Sequence, residues 1–243
     1  MNSITLHPPG KGKLRVIALG DCNTNTIDLN QGTVPDGFCD ALNTHGYSVE
    51  LTNLGRGMET SREGLARLIE CDAVADVAII NYGLVDAWVT TIPGIYVPYY
   101  PDGHVRKRLR KLLKFLKRRL LTSFARKFLP VGSVVPAEEF SQNISRMISI
   151  IRSRNSATKF VLWGTVPVTD NAARNEQLVK YNEILQETAR QNDASFVDTD
   201  IVLNDLENAE RHLDGVHISP ETARRIGSEI FRRIQTESAC DAA

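Results

Sequence analysis

Five short apolar runs are spaced along the chain, at Leu14–Leu19, Tyr47–Thr52, Val77–Asn81, Lys159–Gly164 and Ser195–Thr199. Runs such as LRVIAL, VAIIN and KFVLWG, each closed by Gly or Asn, have the pattern of strands buried in a sheet. Between them the apolar positions recur every three or four residues, which predicts helices at Pro35–Asn43, Ser61–Cys71, Ala137–Arg152, Asn171–Gln191 and Pro220–Gln235. The last of these has Ser219 as its N-cap and Pro220 in its first turn. Strands that alternate with helices, with no hairpin signal between them, predict an α/β protein with right-handed crossovers. The expected architecture is a three-layer α/β/α sandwich on about five parallel strands. One domain is expected over residues 14–235, with flexible ends at 1–13 and 236–243.

The periodicity is interrupted once, by an insertion at 87–136. It opens with IPGIYVPYYPDG, too rich in Pro, Gly and Tyr for regular structure. It continues with Leu109, Leu113, Leu116, Leu120, Phe124 and Phe128 at helical spacing among Arg and Lys, predicting a basic amphipathic helix over Arg106–Phe128. This helix changes the picture given by total charge. The 243-residue chain has 29 bases and 29 acids, but eleven of the bases lie between Arg106 and Lys127 without an acid among them. The remainder has 18 bases against 29 acids, a net of −11. Two readings follow: a helix packed on its own domain with a solvated basic face, or peripheral contact through 104–128 with an anionic membrane or acidic partner. No nucleic-acid partner is expected, because neither interleaved aromatics nor a nucleic-acid motif accompanies the basic run.

The longest charge-free stretch, Ala87–Pro101, has fifteen residues and is broken by prolines, short of the ~20 apolar residues of a spanning helix. The four cysteines form no CxxC, and the N-terminal MNSITLHPPGKGK has no apolar signal core. A reducing cytoplasmic location is therefore expected, with at most peripheral attachment at the inner membrane surface.

In a parallel α/β sheet, ligands gather at the carboxyl ends of the strands. Three loops there carry suggestive residues: Gly20-Asp21-Cys22-Asn23, Asn53-Leu54-Gly55-Arg56-Gly57, and Asn81-Tyr82-Gly83-Leu84-Val85-Asp86. Asp214 precedes His217 by three residues just before the last helix, a spacing that lets the carboxylate hold one imidazole nitrogen and leave the other as a base. Phosphate-loop motifs are absent, no metal site is indicated and no cofactor is expected.

Together these segments resemble the SGNH/GDSL hydrolase superfamily. Its GDS turn corresponds to Gly20-Asp21-Cys22, its glycine loop to Asn53–Gly57, its GxND loop to Gly83–Asp86, and its DxxH to Asp214–His217. Tyr181-Asn182-Glu183-Ile184-Leu185 and Phe196-Val197-Asp198 also look like the family's penultimate helix and last strand. The resemblance implies a flavodoxin-like SGNH fold and acyl-ester hydrolysis, with a small-molecule or O-acylated carbohydrate ester as substrate. By this likeness Cys22 stands at the nucleophile position, His217 is the base and Asp214 its orienter. Gly57 or Met58 would supply an oxyanion N–H, and Asn81 or Asn23 would substitute for the oxyanion asparagine, whose place is taken by Val85. Trp88, Tyr96, Tyr99 and Tyr100 are candidates to line a pocket. The departures at Cys22 and Val85 leave two alternatives: a non-catalytic binding module of the same fold, or an acyltransferase in surface-polysaccharide assembly.

Overall fold

The structure is a computed structural model that describes residues 12–25, 32–91, 93, 97, 103–120 and 130–240. In chain order the elements are β1 (Lys13–Gly20), α1 (Val34–Thr44), β2 (Ser48–Asn53), α2 (Ser61–Glu70), β3 (Val77–Asn81), β4 (Val89–Thr91), α3 (His104–Leu120) and β5 (Val131–Ser133). They continue as α4 (Ala137–Arg154), β6 (Lys159–Trp163), α5 (Ala172–Gln191), β7 (Ser195–Val197), α6 (Thr199–Val202), α7 (Asn208–Arg211) and α8 (Pro220–Cys240). The five expected strands form one sheet in the order β2-β1-β3-β6-β7, and every neighbouring pair is parallel.

Side-chain alternation along the strands divides the core into two layers. Ile17 and Leu19 of β1 point with Ala78, Ile80 and Leu162 toward Leu68 of α2, Ile144 and Ile148 of α4, and Leu178 and Leu185 of α5. Val16 and Ala18 point the other way, joining Val77, Ile79, Val161 and Trp163 against Phe38 and Leu42 of α1 and Ile226 and Ile230 of α8. All these side chains are buried, and each large one contributes about 1.5–3 kcal/mol relative to exposure. A sheet covered on both faces explains why its strands read as continuous apolar runs.

Local chemistry sets the helix starts. Thr33 and Asp36 form a capping box on α1, and Thr60 and Glu63 form another on α2. Ser219 Oγ accepts from Thr222 N at 3.2 Å, the cap expected before α8. α1 and α8 cross backbone to backbone: a Cβ on Gly227 would lie 2.3 Å from Phe38 N. Only glycine permits that approach.

Four features differ from the sequence expectations. A hairpin-like pair, β4 with β5, closes the base of the insertion antiparallel, although no hairpin signal precedes it. Its root is fastened by Val135 N to Asp86 O at 3.1 Å and Val134 N to Trp88 O at 3.0 Å. The basic helix begins at His104, two residues before the expected start; residues 121–128 of its expected course lie outside the described residues. Lys13, expected in a frayed end, opens β1 opposite Ser48, and α8 continues to Cys240. Residues 1–11 and 241–243 lie outside the described residues. Among the described residues, no helix is long and apolar enough to cross a membrane.

Candidate active site

The first loop turns sharply off the end of β1. A Cβ on Gly20 would lie 2.0 Å from Thr24 Oγ1 and 2.5 Å from Asn81 O, so the turn requires glycine. Asp21 is fully buried, and its Oδ1 accepts from Asn23 N at 3.1 Å while Oδ2 has no partner. Burial raises this carboxyl to about 6 despite backbone donors from Asn23 and Leu84. Cys22 sits at the turn with 6% of its surface exposed. Burial first, and the neighbouring Asp21 second, push its thiol well above the usual range, so the resting sulfur is protonated.

The second loop is laid against this turn by Leu54 N to Ala18 O at 2.8 Å and Arg56 N to Gly20 O at 3.0 Å. Asn53 clamps the two loops together, donating to Thr24 O at 2.8 Å and accepting from Gly55 N at 2.9 Å. Both oxyanion candidates reach Cys22, in different ways. A Cβ on Gly57 would stand 3.6 Å from Cys22 Cβ. Met58 lies in the left-handed region at φ 62°, and backbone hydrogen bonding from Cys22 and Met58 partly offsets the rise of the Cys22 thiol.

The Asp214–His217 segment closes on itself. Asp214 Oδ1 accepts from Val216 N at 3.0 Å and His217 N at 2.8 Å, and Oδ2 meets His217 Nδ1 at 2.6 Å. Partial burial opposes ionisation of Asp214, but the hydrogen bonds from His217 and Val216 prevail and hold it at about 2. A charged acceptor fixes the ring proton on Nδ1 and leaves the Nε2 lone pair as the base. A bridge between His212 and Ile218 staples the base of the segment. Ile218 N donates to Asn23 Oδ1 at 3.2 Å, so the residue after His217 is bonded to the residue after Cys22.

The third loop contributes less than its sequence suggests. Asn81 is fully buried, and its amide donates to Trp163 O at 2.7 Å and Thr165 Oγ1 at 3.4 Å. That amide ties β3 to the end of β6. Val85 is buried and offers no side-chain hydrogen. Asn23 spends its side-chain oxygen on Ile218 N, while its Nδ2 is buried without a partner. Asp86 anchors the loop to the start of α2 by accepting from Ser61 N at 2.9 Å. Burial lifts the Asp86 carboxyl to about 7, and the charge of Asp21 adds to the shift.

A model of the GDSL-like lipase/acylhydrolase family matches residues 18–225. The chain belongs to that family. Among solved structures, this GDSL-family chain is similar to TesA (TM-score 0.57, 17% identity, covering 92% of this chain and 99% of that one). It is also similar to a catalytic mutant of Axe2, an acetylxylan esterase from Geobacillus stearothermophilus (TM-score 0.61, 17% identity, covering 93% and 96%). At such identities the likeness is one of fold. No match is found among curated proteins.

One residue of this GDSL-family site is invisible to motif reading. Arg174, in the first turn of α5, donates from its guanidinium to Leu84 O at 3.1 Å, beside Val85. Its guanidinium lies 5.4 Å from the Trp88 ring centroid, and its Nε is buried without a partner. Burial lowers the guanidinium's proton affinity, while the charge of Asp21 opposes that shift. Trp88 is 43% exposed; Tyr96, Tyr99 and Tyr100 lie outside the described residues. Among the described residues, no group of His, Cys, Asp or Glu is arranged to hold a metal ion.

Proposed function

We propose that this GDSL-family chain hydrolyses short acyl esters, with an O-acylated carbohydrate as the substrate class and Cys22, His217 and Asp214 as its triad. The observation that supports the reading most is the contact of Asp214 Oδ2 with His217 Nδ1 at 2.6 Å, on a segment whose Ile218 N is bonded to Asn23 Oδ1, next to Cys22. In the first step Cys22 Sγ bonds to the ester carbonyl carbon as its proton passes to His217 Nε2. The carbonyl oxygen becomes an oxyanion, for which the backbone N–H groups of Cys22 and Met58 are the candidate donors. The C–O bond then breaks, and His217 returns the proton to the departing alkoxide. Water attacks the resulting thioester, giving its proton to His217, and the carboxylic acid and the Cys22 thiol are regenerated.

Two departures shape the rate. The buried thiol has no standing thiolate population, so attack depends on proton removal by His217 during the step. The side-chain donor lost at Val85 is replaced by Arg174, whose buried Nε has a hydrogen to give. The exposed face of Trp88 offers an apolar plane for a sugar ring. The acetylxylan-esterase neighbour supports acetylated sugar as the first substrate to test.

The test is turnover of an acetylated xylooligosaccharide and of a chromogenic acetyl ester by purified protein. Wild type and Cys22→Ser are expected to release acetate, and Cys22→Ala to release none. Equal turnover by Cys22→Ala and wild type would refute the triad. A folded wild-type protein that binds the acetylated sugar without releasing acetate would favour the binding module, a reading to which the raised thiol and Val85 lend weight.

A further inference from the structure

Within the insertion, the basic helix α3 has no part in the ester chemistry proposed above. α3 holds nine Lys and Arg residues and no acid. On a helical wheel, Val105, Leu109, Leu112 and Leu116 fall within about 60° of arc. This stripe faces solvent: the four residues are 80%, 43%, 52% and 42% exposed, and Phe115 at its margin is 55% exposed. The half-buried positions Arg106, Arg110 and Leu113 are centred roughly 90° away around the helix. Among the described side chains of α3, the apolar stripe is therefore not the half-buried face.

A leucine stripe flanked by bases matches a helix lying in the plane of a lipid interface. Charge selects the lipid. Outside Arg106–Lys127 the chain carries a net −11, so an anionic leaflet repels the body and attracts this one segment. The same asymmetry fixes orientation, with α3 against the surface. The β4–β5 pair that closes the insertion is rooted on Asp86 and Trp88.

We propose that α3 seats the protein on anionic membrane surfaces, with Val105, Leu109, Leu112 and Leu116 in the interface and the flanking bases against lipid headgroups. Each Lys or Arg near an anionic leaflet multiplies partitioning about fivefold, and the attraction falls as salt shortens the Debye length.

The experiment is co-sedimentation of the full chain with phosphatidylcholine vesicles, with and without phosphatidylglycerol. Binding to the anionic vesicles should exceed binding to the neutral ones at least about tenfold and weaken on raising salt. Leu109→Ser/Leu112→Ser/Leu116→Ser and Arg108→Glu/Lys111→Glu should each lower it about tenfold or more. Hydrogen exchange of the wild-type protein should slow across 104–116 when anionic vesicles are added, a readout that does not depend on any variant folding. Absence of binding at low salt, or unchanged exchange across 104–116, would overturn the proposal. So would a serine variant that binds as well as wild type. A serine variant that dissociates an oligomer while vesicle binding stays the same would instead assign the stripe to a second copy of the chain.

Discussion

Asp21→Asn exposes how the nucleophile loop is built. The wild-type carboxylate is fully buried beside Cys22 and titrates at about 6, against 3.8 for an unperturbed group. A raised carboxyl pKa means that the folded state holds the proton more tightly than the unfolded chain. The wild type is therefore least penalised at acid pH and loses stability as pH rises through about 6. Linkage puts the penalty at about 1 kcal/mol at pH ~4.5 and about 3 kcal/mol at pH ~8. Asparagine does not titrate. Its oxygen keeps the bonds from Asn23 and Leu84, while its amide occupies the place of the unpartnered Oδ2 and costs about 1–3 kcal/mol at every pH. The stability of Asp21→Asn relative to wild type should thus improve by about 2 kcal/mol between those two pH values. The charge of Asp21 also raises the penalty on Asp86, which moves the difference in the same direction. Urea unfolding of both proteins at the two pH values measures the gap, and iodoacetamide kinetics on folded protein provide a second readout. Loss of the adjacent charge should speed alkylation of Cys22 at pH ~8. A gap that does not change with pH, together with unchanged alkylation, would refute the buried-charge account.

Other outcomes follow from the same geometry. His217→Ala should lower ester turnover about 10²–10⁴-fold and Asp214→Asn by less, measured as kcat/KM, with the melting temperature little moved because both side chains are partly exposed. Asp214 is held at about 2, so its protonation should cause no loss of activity above pH ~4 in a pH–rate profile. Arg174→Ala should cost about 10²–10³ in kcat, with partial recovery in Arg174→Lys, and Val85→Asn should recover about tenfold in the Arg174→Ala background. Gly227→Ala should lower stability by about 1–3 kcal/mol in denaturant titration, because its methyl meets the α1 backbone at 2.3 Å rather than a flexible side chain.

The sheet was legible because its strands are buried on both faces, so each appears as an uninterrupted apolar run between capped helices. The β4–β5 pair was not, because three-residue strands are too short to show alternation. In the candidate site, the Asp214–His217 pair is local, and its three-residue spacing already contains the geometry. The choice between Gly57 and Met58 could not be read from spacing, because it depends on the backbone conformation of the loop, where Met58 takes a left-handed φ of 62°. The bond from the Asn81 amide that joins β3 to β6 had no signal in the sequence, because Trp163 O lies 82 residues away. Arg174 carries no signal at all, since it meets Leu84 across ninety residues of sequence. Helix position and exposure, rather than residue pattern, distinguish the solvent-facing stripe of α3 from a packing face.

The central claim is that Cys22 carries the acyl group, and intact-mass spectrometry after rapid mixing with a chromogenic acetyl ester tests it most directly. The account predicts one added acetyl group, located on the Cys22 peptide, that forms in wild type and decays as acetate appears. It should be absent in Cys22→Ala and strongly slowed in His217→Ala. Acetate release at the wild-type rate with Cys22 never modified, or an acetyl group found on another residue, would contradict it.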